Sequence, residues 1–183
     1  KKSIYLFLLA PIFIFSQDVS LFKGLNIGMS KKEVKAELKK GKEIYTNVDV
    51  GNGWVWKTDH RNTYYNSNGG LEGIYFYQKG TMLSGMGYEN TVNCLEMSEI
   101  FFKNIGYKEF YKNKWWNAPV NFSASYALVL VSSDNTKIAH VFPTKSPYGE
   151  HTAGLIIYEK NTFMKSWDAQ KENLSKKQKD SGF

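Results

Sequence analysis

The order of periodicities along this chain restricts its fold more than any single motif does. Twice, an apolar pattern of helical spacing closes on a glycine and gives way to short stretches of period-two alternation. The first helical stretch, 31–40, carries Val34 and Leu38 on one face, with Gly41 suited to the left-handed position that ends a helix. The second, 91–104, carries Val92, Leu95, Met97, Ile100, Phe101 and Phe102, with Gly106 in the corresponding place. Strand-like segments follow the first helix at 42–50, 53–58, 63–65 and 71–79. After the second they fall at 107–116, 122–132, 137–144 and 153–159. The expected fold class is therefore α+β. Two tandem helix-plus-antiparallel-meander units, about 21–80 and 88–160, share one sheet, and a C-terminal helix follows at about 161–179. Identity between the two halves is negligible, so only the architecture repeats.

Alternation assigns faces. Trp54 and Trp56 share one side of their strand, as do Ile74 and Phe76, with Tyr75 and Tyr77 opposite. Residues 126–131 are apolar at every position, which predicts a central strand covered on both sides. Residues 133–136, Ser-Asp-Asn-Thr, predict a hairpin turn. In the last helix Phe163, Met164, Trp167 and Leu174 form a patchy stripe expected to dock on the protein's own sheet. The stretch from Ser175 onward is polar.

The start of the first helix is the sharpest local signal. Ser30 and Glu33 have the spacing of a capping box, in which each side chain satisfies a backbone N–H of the other residue. Gly28 is expected to permit a tight backbone approach and Met29 to plug the core. The run Leu25-Asn26-Ile27-Gly28-Met29-Ser30-Lys31-Lys32-Glu33-Val34, with Leu38, Gly41 and the later Trp54-Val55-Trp56, resembles two related groups. One is the small lipoprotein of the outer-membrane β-barrel assembly machinery, and the other is the β-lactamase-inhibitor-protein-like modules. In those groups a Gly-Met-Ser/Thr turn enters a short helix, and an aromatic strand and a strand ending in a glycine turn follow. Residues Gly73 to Gly80 would fill that last place. The match is specific over Leu25–Gly41 and fades by Gly80. It implies helix-plus-sheet modules that bind other proteins or the cell envelope and do not catalyse. The single cysteine, Cys94, lies far from the N-terminal segment, so the lipid anchor of the assembly lipoprotein is not carried over.

Residues 1–16 read as a bacterial secretory signal: Lys1 and Lys2, an apolar run from Ile4 to Phe15, then Ser16 before Gln17. The run is too short for a spanning helix, which needs about 20 apolar residues. Cleavage after Ser16 leaves residues 17–183 as a single α+β domain, a size that supports a real core. No membrane span is expected after processing, and the destination is the periplasm or the exterior. The formal charge of +7 loses two lysines and becomes +5. Basic residues are dispersed apart from Lys176, Lys177 and Lys179, which argues against nucleic acid as a partner. One cysteine permits no internal disulfide, and Cys94 is expected to be a buried small hydrophobe.

Chemistry-bearing patterns are sparse. His60 sits in a turn, His140 alternates with Ile138 and Phe142, and His151 follows Glu150 in a loop. None has metal-ligand spacing, so a metal site would need long-range convergence, with Glu150, His151 and His140 as the least unsuitable set. There is no Gly-x-Ser-x-Gly elbow, phosphate loop or local carboxylate pair. No enzyme and no cofactor are expected. An unrecognised active site near His140 and His151 is the remaining catalytic alternative. Aromatics are the compositional excess: 12 Tyr, 12 Phe and 5 Trp. Trp54, Trp56, Tyr64, Tyr65, Trp115 and Trp116 fall on expected strands, and in the pairs Tyr64-Tyr65 and Trp115-Trp116 alternation sends one ring to each face. These six are the candidate binding residues. The favoured function is an exported, non-catalytic protein that engages another protein or an envelope component through an aromatic-rich sheet face. A carbohydrate-binding module using the same Trp and Tyr residues is the alternative.

The signal pattern makes one direct prediction. Intact-mass measurement of periplasmic or secreted protein should give a chain beginning at Gln17, with that residue open or cyclised; a mass that retains residues 1–15 contradicts it.

Overall fold

A computed structural model describes residues 20–40, 46–78, 85–113, 128–145 and 148–180. The chain order is β1 (Ser20–Phe22), β2 (Leu25–Asn26), α1 (Lys31–Lys40), β3 (Asn47–Gly51), β4 (Trp54–Lys57), β5 (Thr63–Tyr65) and β6 (Leu71–Gln78). It continues with α2 (Tyr88–Asn104), β7 (Lys108–Lys112), β8 (Leu128–Val131), β9 (Lys137–Lys145), β10 (His151–Glu159) and α3 (Lys160–Asp180). The expected signal at 1–16, Gly41 and Gly80 lie outside the described residues. Among those residues, no helix is long and apolar enough to cross a membrane.

The protein is α+β, with one large antiparallel sheet. Its strand order is β3-β4-β6-β10-β9-β8-β7, and β5 lies beside β6. The last strands of the two halves, β6 and β10, meet at the middle and pair antiparallel from Gly73↔Tyr158 to Tyr77↔Gly154. The first half departs from a simple meander. β4 pairs with the C-terminal end of β6 and β5 with its N-terminal end, so the two behave as one strand interrupted by Thr58–Asn62. The excursion keeps the backbone of Tyr75 satisfied: its N–H donates to the Asn62 carbonyl at 2.8 Å, and its carbonyl accepts from the Thr58 hydroxyl at 2.7 Å.

Each face of the sheet has its own core. Trp56, Ile74, Phe76, Leu128, Leu130, Ala139, Val141, Ala153, Leu155 and Ile157 point to the side covered by α2, which adds Cys94, Leu95 and Phe102. On the other side Val129 and Ile138 meet Phe163 and Trp167 of α3. The C-terminal stripe therefore docks on the sheet as expected through Phe163, Met164 and Trp167. The Leu174 side chain is outside the described residues. β8 is covered on both sides, since Leu128, Val129 and Leu130 are all buried. It is not central, however: only β7 lies beyond it in the described sheet, and α2 covers one of its faces and α3 the other.

Boundaries differ where backbone conformation, not periodicity, sets them. α2 begins at Tyr88, one turn earlier than its apolar pattern, directly after Gly87, whose φ of 76° is a conformation that glycine adopts readily. The ribbon β1–β2, turned by Lys23 (φ 37°) and Gly24 (φ 81°), is too short to give a readable alternation. The hairpin at 133–136 forms, with the Asn135 N–H donating to the Ser132 carbonyl at 2.9 Å and Asn135 at φ 60°.

The start of α1 is a capping box. The Ser30 N–H donates to Glu33 Oε2 at 2.7 Å, and the Glu33 N–H donates to Ser30 Oγ at 3.4 Å. Val34 is fully buried and Met29 only partly so. The tight approach expected at Gly28 is real, but the residue that must lack a side chain for it is Gly70. A Cβ on Gly70 would meet the Gly28 Cα at 3.1 Å, whereas one on Gly28 would meet nothing within 4 Å. Gly28 is required by its φ of 86°. Two backbone bonds, Gly28 N–H to the Leu71 carbonyl and Leu71 N–H to the Met29 carbonyl, both 2.8 Å, tie this turn to β6.

Ser30→Ala should cost about 0.5–2 kcal/mol, and Gly28→Ala about 1–2 kcal/mol from backbone strain alone; urea melts measure both. The bonds from Ser30 hold the Glu33 carboxyl below its ordinary value, so this contribution is present above the unfolded carboxyl pKa and disappears as pH falls through the folded one. The gap between wild type and Ser30→Ala should narrow accordingly in acid. Unchanged midpoints for both variants would contradict the turn as described.

Candidate functional site

The aromatic face that forms is built around two strand-interior glycines. A Cβ on Gly154 of β10 would fall 2.6 Å from the Phe142 ring and 3.2 Å from the Tyr75 ring, and one on Gly73 of β6 would fall 2.9 Å from Tyr158. Rings thus lie across bare backbone at both positions, a close approach that only glycine allows. Tyr64 of β5 stacks on Tyr158, with centroids 6.1 Å apart and planes 26° from parallel. Tyr77 shares this side by alternation with Tyr75. Tyr75, Tyr77, Phe142 and Tyr158 are half-buried, and Tyr64 is 43% exposed. Burial pushes the Tyr64, Tyr75 and Tyr77 hydroxyls above their ordinary pKa, so all three are protonated donors at neutral pH. The result is an amphipathic floor, apolar in the plane of the rings and able to donate hydrogen bonds at its rim.

Of the six aromatics singled out from the sequence, Tyr64 belongs to this floor. Tyr65 points to the opposite side and packs against the main core, so this pair splits between faces as alternation requires. The two tryptophans of β4 share a face, but it is the α2 side. Trp56 is 0% exposed, and its indole N–H donates to Ser98 Oγ at 2.8 Å, so it is a core residue and not a contact residue. Trp54 is half-buried, with its indole N–H donating to Asn93 Oδ1 at 2.7 Å. Both rings bridge β4 and α2; the burial of Trp56 corrects the expectation that it belongs to a binding surface. Trp115 and Trp116 lie outside the described residues. Sequence reading missed Phe142, Tyr158 and the two glycines as site residues. The available signal was a glycine inside each of the strands β6 and β10, which commonly marks close approach of a ring, backbone or ligand.

The histidines are not brought together. His140 pairs with Ile156 and His151 with Lys145, which separates them along the sheet by about 17 Å of strand. His140 is 5% exposed, beside Phe142 and Phe163. His151 meets Tyr88 edge to face at the far end of β10. Among the described residues no group of His, Cys, Asp and Glu is placed to hold a metal ion. Cys94 is buried in α2; desolvation, only partly opposed by its hydrogen bond with Ser98, pushes its thiol up to about 12, far from the range of a nucleophilic thiolate.

No family model, curated protein or solved structure matches the chain.

Proposed function

We propose that the chain is an exported, non-catalytic binding protein that engages another protein, or a component of the cell envelope, through the tyrosine floor of β5, β6, β9 and β10. The observation that carries this proposal is the exposed Tyr64 ring stacked on Tyr158, in a floor laid over Gly73 and Gly154. Tyrosines of this kind supply rigid contact area at little conformational cost and recur as anchors at protein contacts. Further support comes from the signal-like pattern of residues 1–16 and from the resemblance around Leu25–Gly41 to modules that bind proteins. Catalysis near His140 and His151 has no such support, because the strand register holds the two apart.

A second reading, carbohydrate binding, is favoured by one observation only: flat rings suit the apolar face of a sugar. Of the tryptophans first assigned to it, Trp56 is buried and Trp54 is bonded to α2, while Trp115 and Trp116 lie outside the described residues.

A photo-crosslinking residue in place of Tyr64, or of Tyr77, in producing cells should capture the same partner. At Tyr148, which is 77% exposed in the turn between β9 and β10 and not part of the floor, it should not. Tyr64→Ala should cost about 1 kcal/mol or less in stability and markedly reduce recovery of that partner. Fluorescence changes with glycans that vanish in Tyr64→Ala would favour the carbohydrate reading instead. If neither response is found, the floor is not a binding surface.

A further inference from the structure

We propose that the chain carries a second site, an anion pocket for a phosphate monoester, in the cavity between α1 and the Thr58–Asn62 excursion. It does not rest on the tyrosine floor. The cavity measures about 360 Å3 and is lined by Lys31, Lys35, His60, Arg61, Thr63 and Tyr65. None of these lining residues is acidic. The interruption between β4 and β5 creates it: had the strand continued, His60 and Arg61 would lie in the sheet and not beside the helix. Asp59 shapes the excursion by accepting from the Arg61 N–H at 2.8 Å. The same carboxylate accepts from Arg61 Nη2 at 3.0 Å and from Nε at 3.3 Å, which orients the guanidinium.

The arrangement of α1 favours an anion here. Lys31 and Lys35 are four residues apart on one helix face, where like charges repel. Lys31 also stands in the first turn, where the helix dipole disfavours a cation. The acids of α1 offer no relief. Glu33 is bonded to Ser30, and Glu37 pairs with Lys40 at 2.6 Å. Among the described residues neither Lys31 nor Lys35 makes an ion pair. A negative group in the cavity would remove both penalties at once. Lys31, Lys35 and Arg61, offset by Asp59, give a net charge of about +2, which matches a phosphate monoester at neutral pH. The volume falls within the about 300–1,000 Å3 range of small-molecule pockets. It leaves room for a small organic body against Tyr65.

Titration calorimetry on the full chain tests the site with two probes. Glycerol 3-phosphate represents a free ester, and phosphatidylcholine vesicles with or without phosphatidic acid represent a lipid headgroup. Saturable binding of either probe is expected, and the probe that binds identifies the source. The variant Lys31→Gln/Lys35→Gln should bind at least tenfold more weakly, and Lys39→Gln, on the same helix outside the cavity, should bind as wild type. Because the double variant loses a like-charge pair, it should melt no lower than wild type without ligand, which separates lost binding from lost folding. Three results would overturn the site: no saturable binding of either probe up to about 10 mM, an undiminished affinity in the double variant, or an equal loss in Lys39→Gln.

Discussion

The antiparallel pairing of β6 with β10 is the contact on which the rest of the molecule depends. Each strand ends one helix-plus-strands half, and their ladder from Gly73↔Tyr158 to Tyr77↔Gly154 turns two small sheets into one. Neither half alone could bury its apolar face well, because small antiparallel sheets are marginal until a further layer covers them. Joined, they present a single surface wide enough for α2 to pack against β3, β9 and β10 together. The helix that opens the second half thereby closes the core of both.

The polar contacts of α2 make that closure specific. Trp54 and Trp56 of the first half donate to Asn93 and Ser98 of the helix, at 2.7 and 2.8 Å. A buried indole N–H without an acceptor is costly, so the Trp56 bond selects one position of α2 over neighbouring ones, and the exposed Trp54 bond fits that same position. On the far face the same central pairing has the opposite outcome. Gly73 and Gly154 remove two side chains from the middle of the sheet, and the rings of Tyr75, Phe142 and Tyr158 spread into the space. One contact thus yields a closed core on one side and, on the other, an aromatic floor beside the smaller core that α3 covers.

How much of this was legible in the sequence depended on whether a feature was local. The capping box of Ser30 and Glu33, the hairpin at 133–136 and the alternation of Ile74 and Phe76 against Tyr75 and Tyr77 are set by near neighbours and stood as expected. The role of Gly70 was not legible, because it depends on the approach of Gly28 from another element. The fate of Trp54 and Trp56 was half legible: periodicity puts them on one side, but only the position of α2 decides that this side is the core. The floor was hidden for the same reason, since Phe142 and Tyr158 join Tyr64 only through the strand order β5-β6-β10-β9. The interruption at Thr58–Asn62 showed in the sequence as an ordinary polar turn, and its effect of swinging His60 and Arg61 toward α1 comes from β4 and β5 sharing one edge of β6.

Native-state hydrogen exchange is the most direct measurement of the central claim, that the two halves are one cooperative unit joined at β6 and β10. The amides of residues 73–77 and 154–158 that bond across this pairing should open only in the global unfolding step, and with the same free energy on both strands. If β6 exchanges through a lower-energy opening while β8, β9 and β10 remain protected, the halves are separate folding units, and the joined sheet is not what holds the molecule together.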